Sequence, residues 1–196
     1  MSRSYFNRQA VAWDELASEQ DAVKLSQMAQ RLDIPPGSSV LDIGTGTGVF
    51  LPFLLCKVGS GGRLIALDFA EEMLKRARDK GFNGSIYYLQ GDVANIPLLG
   101  EMFDVVVCYS AFPHFRDKPG ALAEINRVTK GGGRLFICHT SSRDAINQLH
   151  HGIPAVQDDT IPGESEMRLM LSQAGFGSII IEDENESYLA CAKKIV

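Results

Sequence analysis

Residues 40–50, Val40-Leu41-Asp42-Ile43-Gly44-Thr45-Gly46-Thr47-Gly48-Val49-Phe50, decide how this chain is read. The apolar run Ser39–Ile43 predicts a short buried strand. It feeds three alternating glycines, and Val49-Phe50-Leu51 opens a helix expected to run to about Lys57. Glycine lets the backbone turn tightly and approach a ligand closely, and the first strand-to-helix crossover of a doubly wound sheet is where nucleotides bind. A dinucleotide site asks for Gly-x-Gly-x-x-Gly, whose third glycine would fall at Val49. Asp42 stands two residues before the first glycine, and a carboxylate there repels a pyrophosphate but suits an ammonium or sulfonium group. No Gly-Lys-Ser/Thr follows, which excludes a phosphate-binding P-loop.

Outward from this loop, strands and helices alternate. Pro35-Pro36-Gly37 closes a helix-like stretch in which Val11, Leu16, Val23, Leu25, Met28 and Leu32 recur at near-helical spacing. Downstream, strands are expected at Arg63–Leu67, Ser85–Gln90, Phe103–Tyr109 and Arg134–His139. Helices are expected over Ala70–Lys80 and Pro119–Lys130, the second closed by Gly131-Gly132-Gly133. This order predicts a parallel sheet covered on both faces. The end differs: a helix over Glu164–Ala174, capped by Gly175, precedes two strands, Ser178–Glu182 and Ser187–Ala192, too close in sequence to be anything but an antiparallel hairpin. The expected fold is α/β: a doubly wound, Rossmann-like seven-stranded sheet, mostly parallel, with a C-terminal antiparallel hairpin and helices on both faces.

At 196 residues, one domain spanning 1–196 is expected. The balance of 19 basic and 24 acidic residues, net −5, argues against a general nucleic-acid binder, and no apolar run is long enough to span a membrane. Cys56, Cys108, Cys138 and Cys191 form no Cys-x-x-Cys pair. Most of them sit in apolar runs and read as core side chains in a reducing compartment. With a polar start lacking an apolar signal core, the expected location is cytoplasmic.

Four further segments complete a pattern with the glycine loop. These are Leu64-Ile65-Ala66-Leu67-Asp68 with the helix after it, Gln90-Gly91-Asp92-Val93-Ala94-Asn95-Ile96-Pro97, Phe103-Asp104-Val105-Val106-Val107-Cys108-Tyr109-Ser110, and Glu124 to Leu135. In this order on these elements, the chain resembles the class I S-adenosylmethionine (SAM)-dependent methyltransferases, in the small single-domain type near the ubiquinone/menaquinone methyltransferases. The resemblance covers about residues 5–139, and it departs at Gly131, where the family often has proline. It implies SAM as cofactor and a glycine loop of Gly44, Thr45, Gly46 and Gly48 around it, with Asp42 at the loop's base. It implies that Asp68 takes the ribose hydroxyls, beside Phe69 and Met73, and that Asp92 and Val93, after Gly91, hold the adenine. Tyr109 and His114 would border the transfer site. It makes Tyr5, Phe6 and Trp13 part of a lid over residues 1–34, residues 38–139 the SAM-binding core, and 140–196 the acceptor-side segment with the hairpin.

Plainer roles are open to several of these residues. Asp42 could cap its turn, Asp68 could cap the helix from Ala70, and Asp92 could close an Asx-turn. Asp104 begins its strand at the end away from the ligand crevice and reads as structural.

Methyl transfer is an in-line displacement in which positioning does most of the work, so acceptor identity is sought outside the SAM motifs. All four histidines, His114, His139, His150 and His151, lie in the second half. The stretch from Thr140 to Asp159 is polar, which points to a small polar acceptor contacted by His139, His150 or both, rather than a lipophilic quinone. A metal held by His139, His150, His151 and Asp158 is a weaker alternative, since adjacent histidines on a helix point apart; no metal is expected. Two other function classes compete. An NAD(P)-binding oxidoreductase is opposed by Asp42, Val49 and the hairpin, and a non-catalytic SAM-binding module would be separated by a turnover assay. The sequence leaves the oligomeric state undetermined.

Overall fold

The computed structural model describes residues 3–11, 13 and 21–196. The expectation placed on Leu16 lies outside them. In chain order the elements are α1 (Arg3–Gln9), α2 (Ala22–Arg31), β1 (Ser39–Ile43), α3 (Leu51–Val58), β2 (Arg63–Asp68), α4 (Glu71–Asp79), β3 (Ile86–Gln90) and β4 (Phe103–Tyr109). After a 3-10 turn at Phe112–His114 come α5 (Lys118–Val128), β5 (Thr129–His139), α6 (Arg143–His151), α7 (Glu164–Gln173), β6 (Phe176–Glu184) and β7 (Ser187–Lys194).

One seven-stranded sheet takes the order β3-β2-β1-β4-β5-β7-β6. Strands β1 to β5 run parallel; β7 pairs antiparallel with β5, and β6 with β7. The fold is the doubly wound Rossmann-like sheet read from the sequence. Its central strands are apolar because both of their faces are covered: every residue of β1 is buried. One face packs Ile43, Phe103, Leu122, Ile125, Met167 and Leu171 under α5 and α7. The other packs Leu25, Leu32, Leu51, Leu54, Val107 and Phe136 under α2 and α3. Cys108 belongs to the first layer and Cys138 to the second, so the two thiols sit on opposite faces of the sheet.

One local expectation is corrected and one element is added. The glycine triplet 131–133 does not close α5. That helix ends at Val128, and the glycines lie inside β5, where the register against β4 slips between Phe103 and Val105. Gly132 has φ +75°, and a Cβ on Gly133 would come within 2.7 Å of Thr129. The triplet is thus a bulge that lets a long strand keep its pairing. Second, residues 143–151 form α6, a helix to which the sequence analysis gave no bounds. Its start was legible in Ser142, whose hydroxyl accepts from the Ala145 amide at 3.3 Å, and its inner face in Ile146 and His150.

Two ties hold outlying parts to the sheet. Arg31 of α2 donates to Ser187 at 2.7 Å and to Glu182 at 2.5 Å, which binds the N-terminal helix to the terminal hairpin. Arg127 donates to the carbonyl oxygens of Leu98 and Ile96 and to Glu124, fixing the long connection before β4. Asp104, structural as expected, accepts from the Ser39 amide at 2.8 Å and from Lys130 at 2.7 Å.

Candidate functional site

The sheet order reverses where β1 lies between β2 and β4, and parallel strands of such a sheet leave a crevice at their C-terminal ends. A cavity of about 660 Å³ occupies that position. Its wall is built from the loop after β1 (Gly44, Thr45, Gly46, Thr47), the tip of β2 with Asp68 and Phe69, and Met73 of α4. The segment after β3 adds Gln90, Gly91, Asp92 and Val93. The tip of β4 adds Tyr109, Ser110 and Ala111, and the turn after it His114, Phe115, Arg116 and Asp117. Arg3, Phe6 and Trp13 complete the wall.

The glycine loop takes its shape from close approach. Gly44 has φ +70°, and a Cβ there would stand 2.4 Å from the Cβ of Ala111. Gly48, at φ +81°, lies against Leu51, Phe82 and Ala77 and packs the loop onto the helices behind it.

Asp68 accepts from the Gly46 amide with one oxygen and from the Ala70 amide with the other, both at 2.8 Å. Its turn-capping role and its place on the cavity wall therefore coexist. Burial raises its carboxyl to about 6, against the pull of the Ala70, Gly46 and Phe69 amides. Asp92 is likewise both things: its carboxylate accepts from the Ala94 amide at 2.9 Å in an Asx-turn, and the residue lines the cavity.

Asp42 and Gly48 stand behind the wall rather than on it. Asp42 is 2 % exposed and accepts from the Thr45 hydroxyl at 2.6 Å, so Thr45 is interposed between this carboxylate and the cavity. Burial lifts the Asp42 carboxyl to about 7; the Thr45 bond lowers it and the nearby Asp68 adds to the rise. Asp42, expected at the cofactor, thus lies one side chain back from the cavity, behind Thr45.

Tyr109 stacks on Phe50, with ring centroids 4.5 Å apart, and its hydroxyl lies 2.9 Å from that of Thr140. Ser110, next along, has φ +49°, a strained backbone for a non-glycine residue at the cavity wall. Over the mouth, Phe6 meets Trp13, Phe69 and His114 edge-on at 5.4–5.7 Å, and α1 rests on α4.

The histidines are arranged differently from the sequence expectation. His139 is buried at the tip of β5, edge-on to Tyr188 of β7 at 6.4 Å, and neither it nor His150 reaches the cavity wall. The described wall ends at Asp117, so the acceptor-side segment 140–196 contributes nothing to it directly. What that segment does contribute is Asp159, whose carboxylate lies 2.8 Å from Nδ1 of His114. His150 donates from Nδ1 to the Asp159 carbonyl at 2.5 Å, and its ring centroid is 4.9 Å from that of His114. Burial lowers the His114 pKa, the Asp159 bond opposes this, and the His150 and His139 charges add to the lowering. His151 and Asp158 are exposed, whereas His139 and His150 are buried. Among the described residues no group of three or more His, Cys, Asp or Glu side chains is placed to hold a metal.

Gln90 and Ser110 on the wall lie inside the segments read from the sequence but were given no role, and Arg3, Ala111, Phe115, Arg116 and Asp117 lie outside them. Of these five, Asp117 carried a signal, as the cap before Pro119: it accepts from the Gly120 amide at 2.9 Å. The pairing of Asp159 with His114 spans 45 residues and leaves no spacing to read.

Comparison with known proteins follows the same outline. The family model described as "Methyltransferase domain" matches residues 41–137. The chain is 38 % identical over 112 residues to the ubiquinone/menaquinone biosynthesis C-methyltransferase of Teredinibacter turnerae, covering 55 % of this chain and 45 % of that protein. It is 30 % identical over 188 residues to the malonyl-[acyl-carrier protein] O-methyltransferase of Hamiltonella defensa, covering 88 % of this chain and 70 % of that protein. The chain thus spans about half to two thirds of the length of these relatives. A SAM-dependent methyltransferase structure from Aquifex aeolicus shares the fold over the whole of both chains, with a TM-score of 0.73 at 24 % identity. The names of the two sequence relatives agree on methyl transfer, and on that likeness the chain belongs to the class I SAM-dependent methyltransferases.

Proposed function

We propose that this protein transfers a methyl group from SAM to a small polar acceptor by in-line displacement. The observation that carries the reading is Asp68: a buried carboxylate on the cavity wall, held by two main-chain amides of the surrounding loops. The residues present fit a ligand that is cationic at one end and a nucleoside at the other. Asp68 would take the ribose hydroxyls, giving up the Gly46 amide as it does so. Asp92 and Val93 would bracket the adenine. Thr45, backed by Asp42, and the amides of the glycine loop would hold the amino-acid end, and Tyr109 and His114 would border the methyl group. When bound, SAM supplies a methyl on a sulfonium, already a good leaving group.

The protein's own task is then alignment and exclusion of water. Phe6, Trp13 and Phe69 cover the mouth, so residues 1–34 act as the lid and 38–139 as the cofactor core. Segment 140–196 serves the acceptor side from behind the wall, through Asp159. The wall after β4 carries Ser110, His114, Arg116 and Asp117 beside Ala111 and Phe115, and these polar side chains support a small polar substrate over a quinone.

Calorimetric titration with SAM, S-adenosylhomocysteine and NADH tests the cofactor half. Micromolar binding of the first two and none of NADH is expected. Binding of NADH alone overturns the reading.

A further inference from the structure

Resting on that reading, we propose that His114 is the general base of the transfer and that Asp159 is the residue that positions it, so that the acceptor is one that must lose a proton: a phenol or enol hydroxyl, or an amine N–H.

The argument is geometric. His114 lines the cavity from the 3-10 turn after β4. Its Nδ1 is committed to the Asp159 carboxylate at 2.8 Å. A carboxylate accepts only, so Nδ1 carries the hydrogen and the lone pair is on Nε2, the nitrogen left for the cavity. Base toward the ligand and orienting carboxylate behind it is the arrangement of a positioned imidazole base. The groups facing His114 are Asp159, His150 and His139, and Lys118 in turn faces Asp159. Burial keeps the ring neutral near pH 7, the form that can accept a proton.

Asp159 is held for this task. The segment after α6 doubles back through bonds from the Val156 amide to Ile153 and from the Asp159 amide to Val156. Asn147 clamps it further on, accepting from the Ile161 amide at 2.8 Å and donating to the Ile161 carbonyl at 3.1 Å. His150 donates to the Asp159 carbonyl. Two side chains, Asn147 and His150, thus fix a loop whose one polar gift to the cavity is the carboxylate behind His114. This also accounts for the polar run of residues 147–159, which makes a strut and not a pocket lining.

The step balances. A lone pair on the acceptor atom X forms the X–C bond, and the S–C pair stays on sulfur as the thioether. The X–H pair stays on X, and the proton passes to Nε2 of His114, giving an imidazolium beside the Asp159 carboxylate. An acceptor without such a proton, a tertiary amine or a thioether, would have no use for this pair.

The test uses the whole protein with 15N-labelled histidine. NMR of the wild type is expected to show His114 neutral at pH 7 as the Nδ1–H tautomer, and Asp159→Asn to shift it toward a mixture of tautomers. The hydrogen bond alone moves the tautomer; what a merely structural Asp159 would leave unchanged is the acidic limb of the transfer-rate pH profile, which Asp159→Asn is expected to shift. His114→Gln is expected to keep S-adenosylhomocysteine affinity within about threefold. With catechol and histamine as proton-bearing probes, the same variant should lose at least about 100-fold in transfer rate and the acidic limb of its pH profile. An Nε2–H or permanently charged His114, a tautomer indifferent to Asp159→Asn, a tenfold loss of S-adenosylhomocysteine affinity in His114→Gln, or unchanged transfer by that variant each overturns the proposal. Where neither probe is turned over, the tautomer and the affinity decide. Failure of the underlying reading looks different: the wild type itself would bind neither SAM nor S-adenosylhomocysteine.

Discussion

Between Ser39 and Gln90 the carboxylate that lines the cavity is held by main-chain amides, whereas between Tyr109 and Asp159 the histidine that lines it is held by side chains from distant segments. In the first region a loop bends through glycines, and the carboxylate of Asp68 is satisfied by amides of Gly46 and Ala70. Nearly every feature follows from one crossover and its immediate neighbours. In the second, His114 depends on Asp159, and Asp159 depends on Asn147 and His150. A ligand common to a whole family can be held by backbone geometry that many sequences reproduce. A ligand particular to one member has to be met by side chains, and those need support from elsewhere in the fold.

The sharpest way to break this contrast is Gly44→Val. It puts a branched side chain at φ +70° with its Cβ 2.4 Å from that of Ala111. Overpacking and the left-handed backbone together should cost roughly 2–5 kcal/mol, read by urea denaturation, with loss of SAM binding. Survival of both would mean the loop is not set by main-chain packing. Asp68→Ala comes next. It should weaken SAM binding by about 1–3 kcal/mol, since a charged hydrogen-bond acceptor is lost; an unchanged calorimetric dissociation constant rejects its proposed role.

On the other side of the comparison, Asn147→Ala removes two bonds to the Ile161 backbone and should cost about 1–2 kcal/mol of stability. SAM affinity should be untouched, because no residue of that strut lines the cavity. A fall in affinity would show that the two regions are coupled.

The smallest effect is a slope with pH. Asp42 and Asp68 are raised by burial to about 7 and about 6. The folded protein therefore binds protons more tightly than the unfolded chain at these sites. Their contribution is complete below the ordinary value of 3.8 and is lost as pH rises through the folded values. Over pH 5–7 stability should decline by up to about 1.4 kcal/mol per pH unit for each group still protonated. His114, with its lowered pKa, acts in the opposite sense as pH falls below 6.5. Asp42→Asn, which cannot titrate, should flatten the decline in a series of melting curves, and an unaltered slope would show that Asp42 is ionised throughout.

How much was legible in the sequence follows the same division. The strand–glycine–helix run around Asp42, the recurrence of strand tips bearing Asp68 and Asp92, and the short link in the terminal hairpin are local patterns, and each predicts its element and its neighbours. They led to the sheet and its switch point, to SAM as cofactor, and to most of the residues of the cofactor wall. The glycine triplet 131–133 misled because three consecutive glycines look like a helix stop, and only pairing with β4 makes them a bulge. His139 ends β5 opposite Tyr188 of the antiparallel β7 and lies off the described cavity wall, a placement set by pairing with β7 that no local pattern announces.

Periodicity and spacing act over one or two turns or strands, so the sequence by itself determined the elements, their order, the cofactor loop and the family. Which carboxylate stands behind which histidine, and which side chains hold that carboxylate's loop, are settled by contacts that sequence spacing does not announce. Those were decided by the tertiary structure alone, because burial and packing, and not sequence distance, choose the partner of a buried polar group.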